Sequence, residues 1–259
     1  MMPLWLAVLM TLLIIPAQSA AAQRVVSLNL CADQLAMAYA RPGQLAGVSF
    51  NAANPAFSAR YKQARHYPLL RGEAEEIMAL EPDLVLLAEG QNPALQAWLR
   101  DHQIDVLTLP HPASLDDLTH QQAMVRDALG ASGTVQPALP VQPTPVLNGA
   151  RVAVYYPNGF SDGAASLMHE LIERAGGINI AAERGVRHLS LEAMVEAQPD
   201  VLLVQHHGFK TQTQAEAMLH HPALQQLSAR RVAVPGAWLI CPQLHGADLL
   251  ATLESGGQS

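Results

Sequence analysis

The sequence offers little to nucleic acid, to a membrane span or to a disulfide framework. Charged residues make up 14% of the chain, the formal net charge is −7, and no block of Lys or Arg occurs. Phosphate backbones are held by clustered Lys and Arg, so no nucleic-acid partner is expected. Two cysteines, Cys31 and Cys241, are too few for a cysteine-stapled fold. The opening apolar run Leu4–Ile15 is 12 residues long, whereas a spanning helix needs about 20. Reactive signatures are also missing: there is no Gly-x-Ser-x-Gly elbow, no Gly-x-x-x-x-Gly-Lys loop and no Gly-x-Gly-x-x-Gly turn. Neither catalytic residues nor a cofactor are therefore expected. Aromatic residues are only 5% of the chain, which makes any local gathering of them informative.

What is present begins with the layout of a secretory leader: the Leu4–Ile15 run, then Pro16, then small residues through Ala20, Ala21 and Ala22. Residues 1–22 are read as a signal peptide, leaving about 237 residues, enough for two modest lobes that each bury a core. Export would place both cysteines in an oxidising compartment, where a Cys31–Cys241 bond is open to them. The expected location is the periplasm, as a soluble monomer.

The strongest organisational signal is an internal echo. Glu75–Leu87 reads EEIMALEPDLVLL and Glu192–Val204 reads EAMVEAQPDVLLV, at an offset of 117. In each copy a helical spacing of apolar residues stops at Pro-Asp, because proline disfavours helical geometry in the residue before it. An uninterrupted apolar run follows, the pattern of a strand covered on both faces of a parallel sheet. Each copy is preceded by a second such strand, Arg24-Val-Val-Ser-Leu and Arg151-Val-Ala-Val-Tyr-Tyr. Repeated strand, helix, strand units make the fold α/β, with a parallel sheet in each half. A first helix is predicted over about 33–40. Ser114-Leu-Asp-Asp117 reads as a capping box opening a helix that ends near Gly130. Pro137, Pro140, Pro143 and Pro145 then crowd a stretch that cannot be a helix interior. The predicted organisation is residues 23–130 as N-terminal lobe, 131–149 as proline-rich linker and 150–259 as C-terminal lobe.

Ligands of open parallel sheets sit beyond the carboxyl ends of the strands, so the loops there hold the candidates. Those loops supply Asn29 and Cys31, Phe50 and Asn51, Gln91, Tyr156, Asn158 and Phe160, His206, and Trp238. Flat rings and amide groups suit a large, partly apolar ligand. Eleven histidines raise a competing reading, a zinc or manganese receptor built from His206-His207 with His111 and His245, which would need three or four converging donors. His169-Glu170 resembles half of a zinc-protease motif but lacks the second histidine.

Several segments in this order resemble the periplasmic substrate-binding proteins of ABC importers for vitamin B12, iron-siderophore complexes and haem. They are Arg24-Val-Val-Ser-Leu-Asn-Leu-Cys-Ala-Asp-Gln, the paired Pro-Asp segments, Tyr-Tyr-Pro-Asn-Gly-Phe, Gly176-Gly-Ile-Asn179 and Arg231-Val-Ala-Val-Pro. The resemblance runs from about Arg24 to Leu253. It implies two Rossmann-like lobes with parallel central sheets, a corrinoid or metal-chelate ligand between them, and delivery to an inner-membrane ABC permease. It also implies an acidic residue on each lobe that meets permease arginines, for which Glu75 and Glu192 are the equivalent positions. A Glu in a first helical turn is equally explained by the helix dipole. The family usually joins its lobes by a long helix; here the short, proline-rich linker leaves that stiff connection without an evident counterpart.

Overall fold

The computed structural model describes residues 22–132, 145–185, 187–206 and 218–255, with only the backbone of His206. The proposed leader therefore lies outside the described residues except for Ala22, as does most of the proline-rich stretch. The N-terminal half contains β1 (Val25–Ser27), β2 (Leu45–Ser49), β3 (Leu69–Leu70), β4 (Leu84–Ala88) and β5 (Asp105–Leu109). These form one parallel sheet in the order β3-β2-β1-β4-β5. The C-terminal half contains β6 (Arg151–Tyr155), β7 (Ile178–Asn179), β8 (Val201–His206) and β9 (Arg230–Pro235). Their order is β7-β6-β8-β9, again parallel. The two-lobed α/β reading thus holds.

Side chains alternate across a strand, and both faces of each sheet are apolar. On β1 and β4, Val25, Leu84 and Leu86 enter one core layer while Val26, Val85 and Leu87 enter the other. On β6 and β8 the division is Val152, Val154, Val201 and Leu203 against Ala153, Tyr155 and Leu202. Helices on both faces remove these residues from water, which is why the strands read as unbroken apolar runs.

The echoed Pro-Asp pair has a structural job. The Asp83 carboxylate accepts the backbone N–H groups of Gln23 at 2.7 Å and Arg24 at 3.1 Å, at the entrance to β1. The Asp200 carboxylate accepts the Arg151 N–H at 2.8 Å, at the entrance to β6. Each aspartate also joins the backbone ladder: Asp83 N–H donates to Arg24 O and Asp200 N–H to Arg151 O, both at 2.9 Å. One device aligns the central strand pair of each half.

Two expectations change. The first helix starts at Leu30, ahead of the predicted Asp33, because the Asn29 side chain accepts the Cys31 and Ala32 N–H groups, both at 3.1 Å, and so caps it. The helix Leu115–Leu129 has the expected capping box, with Ser114 and Asp117 bonding each other's backbone, but it is not confined to the N-terminal lobe. Leu115 and Leu118 enter the core of the C-terminal half, and Val125 and Leu129 that of the N-terminal half. One helix is thus packed into both cores, ahead of the proline-rich stretch.

Candidate functional site

A cleft of about 810 Å3 lies between the halves, at the carboxyl ends of both sheets. Its N-terminal wall comes from Asn29 after β1, Glu89 after β4 and the segment Pro110–Ala113 after β5. The C-terminal wall comes from Tyr156 and Phe160–Gly163 after β6, from the start of the helix Leu167–Arg174, and from Arg187. Leu239, Ile240, Pro242 and Gln243, after β9, complete it. In the N-terminal sheet the strand order reverses beside β1, and loops leaving the sheet on either side of such a reversal open a crevice.

Cys31 and Cys241 are joined by a disulfide across 210 residues, and Cys31 borders the cleft. Glutamines reinforce the same edge. Gln243 donates to Gln121 at 2.8 Å, Gln122 donates to the Gln243 carbonyl, and Gln121 donates to the Pro110 carbonyl. All three glutamine residues are almost fully buried, where an unpaired amide would be costly. The halves are therefore held together at one side of the cleft by a covalent bond, a shared helix and buried amides.

The candidate residues divide into two groups. Asn29, Cys31, Tyr156 and Phe160 border the cleft, although Asn29 is occupied as a cap. Phe50, Asn51, Gln91, Asn158 and Trp238 lie outside it. Phe50 and Asn51 follow β2, which lies on the far side of β1 from β4 and β5, and the Phe50 ring packs under the Arg71 guanidinium at 5.3 Å. Gln91 accepts from Ala88 N–H and donates to the Leu28 carbonyl, both at 2.9 Å, bracing two strand ends. Asn158 takes a left-handed conformation at φ 62° in the turn after β6, and its carbonyl bonds the His188 ring at 3.0 Å. Trp238 stacks on His245 with centroids 5.5 Å apart and packs against the core of its own half. Tyr155 is wholly buried.

His206 ends β8 with only its backbone described, and His207 lies outside the described residues. His111 borders the cleft, while His245 bonds Asp248 at 3.0 Å beneath Trp238. Among the described residues no group of three or more His, Cys, Asp or Glu is placed to hold a metal ion. Glu75 and Glu192 are both exposed, at equivalent places in the first turns of the helices Ala74–Met78 and Leu191–Ala197. A bond from its own backbone N–H and one from Ser190 hold the Glu192 carboxyl below its usual range.

Sequence reasoning missed Asp162, Gln121, Gln243 and Ile240 as cleft residues. Asp162 falls inside a loop already marked by its position after β6. The Tyr156 hydroxyl donates to its carboxylate. Burial pushes the Asp162 carboxyl up, against the Tyr156 bond and the nearby Arg187 charge; burial likewise pushes the Tyr156 hydroxyl well up.

Residues 122–232 match the family model described as periplasmic binding protein. A cobalamin-binding protein of Halobacterium salinarum is 29% identical over 197 residues, 70% of this chain and 53% of the relative, so the chain spans about half the length of the curated relatives it matches. The periplasmic heme-binding protein RhuT from Roseiflexus sp. RS-1, solved in apo form, is 26% identical with a TM-score of 0.68, over 92% of this chain and 100% of that one. The vitamin B12 binding protein BtuF of Vibrio cholerae shares the fold at 19% identity and a TM-score of 0.61, over 91% and 96% of the two chains. The resemblance read from the sequence therefore stands: this chain is similar to the periplasmic binding proteins, in sequence through much of its second half and in fold along nearly all of its described length.

Proposed function

We propose that the chain is a periplasmic solute receptor that holds a corrinoid, or an iron chelate such as haem or a siderophore complex, and passes it unchanged to an ABC importer. The observation that carries the reading is the cleft of about 810 Å3 at the strand ends of both halves, a volume toward the upper end for small-molecule sites. Similarity to a cobalamin-binding protein and to heme- and vitamin B12-binding structures supports the ligand class. Corrinoid leads because Arg187 is the only Lys or Arg among the described lining residues, beside the acids Glu89 and Asp162, which suits polyanionic chelates poorly. In this reading exposed Glu75 and Glu192 meet basic residues of the permease, and residues 1–22 are the export signal.

Calorimetric titration of the purified protein with cyanocobalamin, haemin, a ferric siderophore and zinc chloride tests the proposal. One-to-one saturable binding of one of the first three is expected. Binding of zinc alone would overturn it in favour of a metal-ion receptor.

A further inference from the structure

Resting on the receptor reading above, we infer that Arg187 is a specificity-determining residue that receives the single oxyanion of the ligand, while Glu89 on the opposite wall rejects a second one.

Position comes first. The Ser161 N–H donates to the Arg187 carbonyl at 2.9 Å, and Phe160 and His188 form an antiparallel bridge. Arg187 and Phe160 therefore sit on one pinned patch of backbone at the cleft. Phe160 is 56% exposed there, a flat apolar face beside a cation.

Availability comes next. Arg187 is exposed and borders the cleft, and no hydrogen bond or ion pair of its guanidinium occurs among the described residues. The Asp162 carboxylate feels the Arg187 charge but accepts the Tyr156 hydroxyl and makes no ion pair with the guanidinium among the described residues. Among the described residues nothing occupies the fork of guanidinium donors, the group with which arginine binds carboxylate and phosphate best.

Exclusion follows from the other wall. The N-terminal side of the cleft contributes Glu89 and no cation among its described residues. A ligand bearing two anionic groups would have to place one of them without a counter-charge and near a carboxylate, which like-charge repulsion opposes. A ligand with one anionic group and a neutral remainder fits both walls. A corrinoid bearing a nucleotide loop has that distribution, with one phosphodiester and a rim of amides; haem carries two carboxylates.

The test crosses Arg187→Ala with paired ligands: cyanocobalamin against dicyanocobinamide, which lacks the phosphodiester, and haemin against its dimethyl ester. Arg187→Ala should weaken cyanocobalamin binding by about ten- to a hundredfold, the loss of a charge-assisted bond, and leave dicyanocobinamide within about twofold. Comparing ratios removes the other contacts of the nucleotide loop. Glu89→Gln should raise affinity for haemin more than for its ester. If Arg187→Ala weakens both corrinoids alike, or neither, the assignment fails while the receptor reading stands. If Arg187→Ala acts on haemin and spares its ester, the oxyanion is a haem carboxylate and the single-anion rule falls. If the wild-type protein binds none of the four, this inference falls, and the receptor reading falls with it when a ferric siderophore also fails to bind. An unchanged melting temperature confirms that the exposed substitution leaves the fold intact.

Discussion

In the N-terminal half, three polar side chains in or beside the cleft are engaged by their own scaffold: Asn29 caps a helix, Gln91 ties two strand ends, and Gln121 bonds the chain after β5, while Glu89 and His111 also line that wall. In the C-terminal half, Tyr156, Asp162, Phe160 and Arg187 occupy the equivalent edge with atoms or faces turned to the cleft. Ten of the thirteen buried polar or charged residues among those described belong to the first half, including its carboxylate Asp33 and Arg126; the second half has only Ser161, Asn179 and Gln243. The two halves share a strand-aligning device and a sheet architecture, so a common frame does not dictate a common chemistry. In the proposed receptor, most of the groups that would meet the ligand lie on the C-terminal wall.

Removing what joins the halves should have the largest effect. Replacing Cys31 and Cys241 together by serine releases a cross-link over 210 residues and should cost about 3–5 kcal/mol, read by chemical denaturation. It should also split a single transition into two, the halves melting separately. An unaltered midpoint would mean that the Leu115–Leu129 helix and the glutamines alone hold them.

Next is a test of the asymmetry in buried charge. Asp33 is fully buried and accepts the Ser49 hydroxyl; desolvation raises its carboxyl from 3.8 to about 7, against the pull of the Ser49 hydrogen bond and the nearby Ser27 hydroxyl. The folded value lies above the unfolded one, so the folded protein holds the extra proton and loses stability as pH rises from about 4 to about 7. Asp33→Asn should flatten that slope and gain on the order of a few kcal/mol relative to wild type at pH 8. Melting curves between pH 4 and 8 check this, and equal slopes for the two proteins would refute it.

The smallest effect probes what the halves share. Asp83→Asn and Asp200→Asn should each cost about 1 kcal/mol, the net worth of hydrogen bonds at an accessible site. A marked inequality between them would show that only one half depends on the device.

These contrasts mark how far the sequence could be read. The echo, the parallel sheets and the edge at which the cleft opens follow from periodicity, from Pro-Asp and from the burial of unbroken apolar runs. Residues within the cleft were less legible, because loop membership does not say where a side chain points. Asn29 stands after a strand, as a ligand residue would, and also at the position a helix cap requires; the cap prevails locally. Phe50 and Asn51 follow a strand too, but that strand lies beyond the reversal in sheet order. Gln121 and Gln243 meet across 122 residues, a pairing no local pattern announces.

The Cys31–Cys241 bond turns about four-fifths of the chain into a closed loop. A protease that nicks the backbone once anywhere inside it produces two peptides that still migrate as one species on a non-reducing gel, coming apart only when a thiol is added and the polypeptide unfolds.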